Sequence, residues 1–423
     1  MSVEDLSDLA AALTARWGEA PKRFVAGTHR TTAPSETLSR VEALCPALGI
    51  TRIADVTGLD HIGIPVVMVC RPNSRSLAVS QGKGPTMAAA RASGLMESVE
   101  SWHAERVLKP LLWASTDELR YSHRLFDLDV LPRPAGSRYH PARPQLWVEG
   151  DRLTSGEGCW LPLETVHLDF RVPGVPGDGA FFNSSSGLAS GNVSLEAIAH
   201  ATCELIERDA STTHRLRPEA HRRARRVDLS TVTDPFCRDI LGRYERAGVA
   251  VGVWETTTDV GVAAFDCLII DRDENPMRPL AACFGAGCHP APQVALLRAL
   301  TEAAQSRLTA IAGSRDDEGR RDYARLRAGP TRQRLRALIC DEQHAQRAFS
   351  LAPAFESDDF ALDVAWLLKR LHAAGIEEVV AVDLHKPALG VAVVKVVAGG
   401  LEPPYEINGY RPGPRALAAS EGR

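Results

Sequence analysis

The 423-residue chain lacks most of the features that announce a function at first sight. Its nine cysteines form no CxxC pair, which argues against a disulfide framework or a zinc ribbon and fits a reducing cytosol. Cys283 and Cys288 are the closest pair and read as small buried hydrophobes beside glycine. No apolar run approaches the ~20 residues of a membrane helix; Ile62 to Cys70 is among the longest. Neither charge dominates, with 49 basic against 53 acidic residues, and aromatics are only 6%, so a nucleic-acid partner finds neither a general field nor stacking platforms. At the N-terminus Glu4, Asp5 and Asp8 stand where an export signal needs positive charge, so a cytoplasmic location is expected. GxxxxGK[ST], GxSxG, HExxH and a strand-to-helix GxGxxG are all absent.

What the chain does contain is a repeat. Three segments, about a hundred residues apart, run from a glycine-rich stretch into a helix bearing an acid, two spacers and a second acid or amide. They are GKGPTMAAARASGLMESVESWHAE from Gly82, SSGLASGNVSLEAIAHATCELIERDA from Ser185 and GAGCHPAPQVALLRALTEAAQSRL from Gly285. The pairs are Glu97/Glu100, Glu204/Glu207 and Glu302/Gln305. Strand character marks Pro65 to Val69, Val249 to Trp254, Ala263 to Ile270, Val379 to Val382 and Val391 to Val397, and helical periodicity marks Asp359 to His372. This alternation predicts an α/β fold of pseudo-repeated sheet-plus-helix layers in one domain. The proline-rich loop from Pro132 to Pro144 is the one candidate subdomain seam.

On a helix turning 100° per residue, Ser93, Glu97 and Glu100 fall within about 60° of one another, opposite Leu95, Val99 and Trp102. In the second segment Asn192, Glu196, His200, Glu204 and Glu207 share one side; in the third, Arg298, Glu302 and Gln305 do. A solvated helix face is the competing reading, but such faces mix signs at i, i+4, and lysine is missing from all three. The glycine stretches suggest loops that let backbone N–H groups approach phosphates at a helix start. If the polar faces converge, two carboxylates ~5.5 Å apart repel by roughly 3 kcal/mol at an effective dielectric near 20. Proton uptake or hard cations must then compensate them, and magnesium bridged to phosphates is the common solution. The basic stretch from His214 to Arg226 reads as an exposed face, and His103 and His289, without ligand-spaced partners, as structural or substrate-adjacent.

The S-x-x-x-E-x-x-E of Ser93, Glu97 and Glu100, followed by NSSSGLASGNVSLEAIAHATCELIERDA and ALLRALTEAAQSRL, resembles the YcaO superfamily across about residues 25 to 400 of a single domain spanning 1–423. The resemblance implies a nonstandard ATP-binding fold, often a homodimer, with Mg2+ ions around the triphosphate. Matched by position, Glu97, Glu100, Glu196, Glu204 and Glu207 would be the metal-binding carboxylates. Ser93, Asn192 and Arg208 would contact the nucleotide, Arg30 and Thr37 in GTHRTTAPSETL would close over it, and Glu302, Gln305 and Arg307 would add contacts from the third segment. Family members activate a backbone amide oxygen of a precursor peptide with ATP. A neighbouring side chain as nucleophile gives an azoline, an amine an amidine, and sulfide a thioamide.

Azoline-forming members typically end in a PxPxP tail, whereas this chain ends PGPRALAASEGR. GTHRTTAPSETL, GITRIADVTGLDHIGIPV and RPNSRSLAVSQGKG resemble the subgroup that works beside a TfuA protein and is associated with thioamide formation. Because the likeness begins almost at the N-terminus, a separate partner is expected to present the substrate. Thioamide synthesis with a TfuA-like partner is therefore the expected activity. Azoline or amidine formation, and a non-catalytic nucleotide-binding role beside a methylthiotransferase acting on a ribosomal protein, are the alternatives.

Overall fold

The computed structural model describes residues 3–273, 280–313, 329–340 and 347–422. Three antiparallel sheets organise them. The first joins β1 (Arg52–Asp55), β2 (Val66–Cys70) and β3 (Val79–Lys83). The second runs β4-β5-β13-β14-β7, from β4 (Leu111–Ala114) and β5 (Gln145–Arg152) through β13 (Val379–Asp383) and β14 (Ala392–Ala398) to β7 (Leu188–Gly191), with β6 (Gly158–Pro162) also on β5. The third joins β9 (Val249–Glu255), β10 (Ala264–Asp271) and β11 (Cys283–Cys288), and a short parallel pair links β8 (Val227–Asp228) to β12 (Arg347–Ala348). The mixed fold read from the sequence is present, and all strands expected from Val, Ile and aromatic content form within a residue or so of their predicted bounds.

Seven helices form or brace the site: α1 (Val3–Trp17), α2 (Pro34–Val41), α3 (Met87–Ala104), α4 (Ser194–Leu216), α5 (Pro292–Ala312), α6 (Phe360–Ala373) and α7 (Pro414–Ser420). Thr86 caps α3 by accepting from the Ala89 amide, and Asp359 caps α6 by accepting from Ala361. Each repeat is a strand feeding a helix: β3 into α3, β7 into α4, β11 into α5. The apolar faces bury as expected, with Leu95 and Val99 of α3, Ile198 and Ala201 of α4, and Leu300 of α5 fully inaccessible. The Pro132 to Pro144 loop is irregular and is tied down by Ala135 N–H to the Gly409 carbonyl (2.7 Å) and by Ser137 Oγ to the Ala180 carbonyl (2.6 Å).

Most glycines of the three stretches lie in strands rather than loops. Gly82 lies in β3, Gly191 in β7, and Gly285 and Gly287 in β11, each against the helix that follows. A Cβ on Gly82 would collide with the Ala90 carbonyl and the Gly94 amide, and one on Gly285 with Ala299 and Ala303. The missing side chains let a helix axis settle onto its strand, so the acid-bearing face comes down at a fixed height above each sheet.

Candidate active site

The three repeats face one cavity of about 610 Å³, within the range of ligand sites and large enough for a nucleoside triphosphate. Arg30 and Thr37 reach it from the α2 region, Ser93, Glu97 and Glu100 from α3, and Glu302 and Gln305 from α5. Glu196, Glu204, Glu207 and Arg208 line it from α4, while Asn192 sits in the turn between β7 and α4 rather than on the helix itself. Residues more than a hundred positions apart thus share one wall.

Arg307, expected among the nucleotide contacts, lies outside the cavity. Its side chain is 1% exposed; Nε lies 2.7 Å from Asp60 Oδ2 and an Nη 2.9 Å from Asp271 Oδ1. It pins α5 to the segment before β2 and to the end of β10.

The acids are held by specific donors. Glu196 accepts from the Thr31 amide (2.9 Å) and hydroxyl (2.7 Å), and Arg30 Nε lies 3.6 Å away. Asn192 donates to Glu196 and accepts from Thr37 Oγ1 (2.9 Å) and from Arg40, which ties α2 to the second repeat. Glu100 accepts from the Ser190 amide (2.8 Å) and hydroxyl (2.7 Å), joining the first repeat to β7. Glu204 accepts from the Gly187 amide (3.3 Å) and from Arg208 (3.2 Å).

Two further cations compensate this wall: Arg298, which shares the polar face of the third segment, and Lys83, which the sequence reading did not include. Lys83, at the end of β3, donates to Glu302 (2.6 Å), and Arg298 donates to His200 Nδ1 (2.8 Å) inside the cavity. Burial, with Arg298 and Arg30 adding, holds His200 well below its ordinary pKa, so it is a neutral acceptor. Lysine is absent from the helical faces because cations arrive from a strand and as arginines. The signal for Lys83 was its place in GKG, immediately before the first acidic helix.

Charge crowding survives this compensation. Burial pushes Glu100 up to about 8, Ser190 opposing and Glu97 and Glu204 adding to the rise. Burial likewise raises Glu207 to about 7 against the pull of Arg208, with Glu302 and Glu204 adding. Glu302 goes the other way: burial would raise it, but Lys83, Arg208 and Arg298 bring it down to about 2. Glu207 Oε2 is buried without a hydrogen-bond partner, an acceptor that a hard cation would satisfy. An all-oxygen donor set around that orphaned atom fits Mg2+. Among the described residues no three of these carboxylates bring oxygens within 4.8 Å of one another, so they ring the cavity and leave room for phosphate oxygens between them.

The one such close group lies elsewhere: His29, His289 and Asp363. Lys22 Nζ already sits 2.7 Å from Asp363, and His289 Nδ1 accepts from the Ala291 amide (2.9 Å), which places the proton of neutral His289 on Nε2. These contacts make it a buried polar network that fastens the chain before α2 to α6. His103 is likewise internal, its Nδ1 on the Val99 carbonyl (2.7 Å), with no part in the cavity.

The model of the family described as YcaO cyclodehydratase, ATP- and Mg2+-binding, matches residues 81–402. The chain belongs to the YcaO family. A Rhizobium leguminosarum bv. trifolii relative, named as an uncharacterized protein in the tfuA 3′ region, is 38% identical over 389 residues, covering 90% of this chain and 91% of its own. A Methanothermobacter thermautotrophicus relative, uncharacterized, is 36% identical over 380 residues, covering 87% and 94%. Among solved structures, YcaO from Methanopyrus kandleri bound with AMPPCP and Mg2+ aligns with a TM-score of 0.71 at 24% identity, covering 93% of this chain and 98% of that one. A heterocyclase in complex with substrate and cofactor aligns at TM-score 0.75 and 22% identity, covering 91% of this chain, which spans about half (54%) of that protein's length. The fold of this YcaO protein is thus the family's ATP-binding one. No helix among the described residues is long and apolar enough to cross a membrane.

Proposed function

We propose that this YcaO protein uses Mg2+ and ATP to activate a backbone amide of a ribosomally made precursor peptide, and that hydrosulfide replaces the amide oxygen to give a thioamide. The observation that carries the reading is the convergence of Glu97, Glu100, Glu196, Glu204 and Glu207 with Arg208, Arg298 and Lys83 on one cavity. In this reading Glu97, Glu100, Glu196, Glu204 and Glu207 hold the metal ions, and Ser93, Asn192, Arg30, Thr37 and Gln305 orient the nucleotide. When bound, Mg2+ and ATP supply the phosphoryl group and neutralise charge developing on it. Arg208 and Arg298 steady the phosphoryl oxygens during transfer, and the fixed helix heights keep donors and acceptors from reorganising. The amide oxygen leaves as phosphate while the sulfur of hydrosulfide bonds to the carbon. The hydrosulfide proton departs on phosphate, so amide, hydrosulfide and ATP become thioamide, ADP and hydrogen phosphate.

Two observations favour sulfide over an internal nucleophile. Residues 401–422 line none of the cavity: Arg415 holds Asp209 on α4 at 2.8 and 2.9 Å, and Glu402 accepts from Tyr410 Oη and from the Gly413 and Ala416 amides, which binds α7 against α4. Among the described residues this segment therefore brings no group to the cavity. The 38% identical Rhizobium relative is named for its position by tfuA, which supports a TfuA-like partner. The supply of ATP and nascent peptide assigns the reaction to the cytoplasm, and the expected assembly is a homodimer.

Incubation with a precursor peptide, ATP, Mg2+, sulfide and the TfuA-like protein tests the proposal by mass. Exchange of one oxygen for one sulfur supports it. Loss of one water favours azoline formation, and unchanged peptide with intact nucleotide binding favours a role as accessory factor for methylthiolation.

A further inference from the structure

A second, smaller pocket of about 80 Å³ lies behind the nucleotide cavity. The stretch Ser184–Ser185–Ser186 forms the partition: Ser185 faces the large cavity, whereas Ser184 and Ser186 face the small one. Gly187 closes the partition against β14 through its carbonyl, which accepts from Val396 N–H at 2.7 Å. Arg208 lines both compartments, so only one layer of residues separates them.

The small pocket holds a buried cation. Lys395, on β14, is 2% exposed, and its ammonium donates to the Ser184 carbonyl at 2.6 Å. Among the described residues it has no ion-pair partner. Glu402, the one acid on this pocket, is occupied by Tyr410, Gly413 and Ala416, and Glu204 across the partition is taken by Gly187 and Arg208. A lysine ammonium carries three donors, so two remain for a ligand. Burying a cation without an anion is costly, and the cost here is expressed as a pKa lowered to about 8 by burial, with Glu204 opposing.

We infer that this pocket is the holding site for hydrosulfide, the nucleophile, bound by Lys395 and separated from the activated amide only by the Ser184–Ser186 partition and Arg208. The inference rests on the thioamide reading. At ~10–15 Å³ per water, a pocket of about 80 Å³ admits a few small molecules but neither a triphosphate nor a folded segment. Beside Lys395 the lining is mainly apolar, with Leu131, Phe181, Val397 and Leu401, and its few other polar side chains, Thr165, Ser184, Ser186, Arg208 and Glu402, include an acid that repels a multiply charged anion such as phosphate. A polarisable sulfur monoanion gives up less hydration on entry than phosphate does, and one ammonium balances its charge.

The test combines a readout without turnover and one with it. Crystals of the full chain soaked in sodium bromide should show an anomalous peak beside Lys395 that hydrosulfide displaces and that Lys395→Met abolishes. In turnover, Lys395→Met should raise the KM for hydrosulfide about tenfold or more, with the KM for ATP within about twofold of wild type, and Lys395→Arg should recover part of the loss. An empty pocket in bromide, or an unchanged KM for hydrosulfide in an enzyme that still makes thioamide, would overturn the pocket assignment while leaving the thioamide reading intact. Absence of any thioamide from the wild type, with bromide seated and displaced as expected, would instead sink the reading of the reaction and with it the nucleophile role.

Discussion

Lys83 Nζ stands 2.6 Å from Glu302 Oε2, so the strand of the first repeat is bolted to the helix of the third across the active-site cavity. The pair is 19% and 22% exposed, between a surface bridge of about 0–1 kcal/mol and a buried pair whose breakage costs about 3–5 kcal/mol. Lys83→Met should lower stability by about 1–2 kcal/mol, because it strands Glu302 beside Glu207, and adding Glu302→Met should recover most of that loss. Urea unfolding of the double-mutant cycle reads it; strictly additive losses would mean the two residues do not couple.

Arg307 yields a prediction of a different kind. With its guanidinium between Asp60 and Asp271 and away from the cavity, Arg307→Ala should cost about 3–5 kcal/mol through the stranded Asp60 carboxylate. The folded fraction should bind ATP as tightly as wild type. Calorimetric titration beside a denaturation curve separates the two, and a lost affinity at unchanged stability would return Arg307 to the nucleotide site.

The strand glycines make a testable claim about architecture. Gly82→Ala forces a methyl into the Ala90 carbonyl and should destabilise by about 3 kcal/mol or more, since overpacking here meets backbone rather than a mobile side chain. Gly58, with nothing within 4 Å of its would-be Cβ, is the control and should tolerate alanine nearly unchanged. Equal melting temperatures for the two variants would refute the close-packing role.

Acid should loosen the core around α3 through His103. Burial, reinforced by Lys386 and His385 and opposed by the Val99 carbonyl, holds it down at about 4 against an ordinary 6.5. The unfolded chain binds the extra proton first, so this contribution is fully present above the ordinary value and disappears as pH falls towards 4, by roughly 3 kcal/mol in all. Comparing urea unfolding at about pH 7 and about pH 4.5, His103→Gln should lose correspondingly less stability than wild type. An identical pH dependence in both would show that His103 is not the group responsible.

Much of this was legible in the chain. The i, i+3 spacing of the glutamates placed them on single helical faces, and β9, β10, β13 and β14 declared themselves through Val and Ile. The strands β3, β7 and β11 did not, because VSQGK, LASG and CFGAGC carry glycine where strand propensity asks for branched side chains; tertiary packing, not local preference, makes them strands. The position of Arg307 outside the cavity was legible in the helical periodicity: two residues beyond Gln305 it points about 200° away from the polar face. Lys83 was unreadable as a partner of Glu302 since 219 positions separate them and only the fold closes that distance.

The most direct test follows the oxygen. With a precursor peptide carrying heavy oxygen in the target amide, the label should appear in the phosphate released from ATP, one atom per thioamide formed, and Glu207→Gln should abolish the transfer while leaving the protein folded. Phosphate free of label, with thioamide still produced, would contradict amide activation by ATP and remove the role assigned to the converging carboxylates.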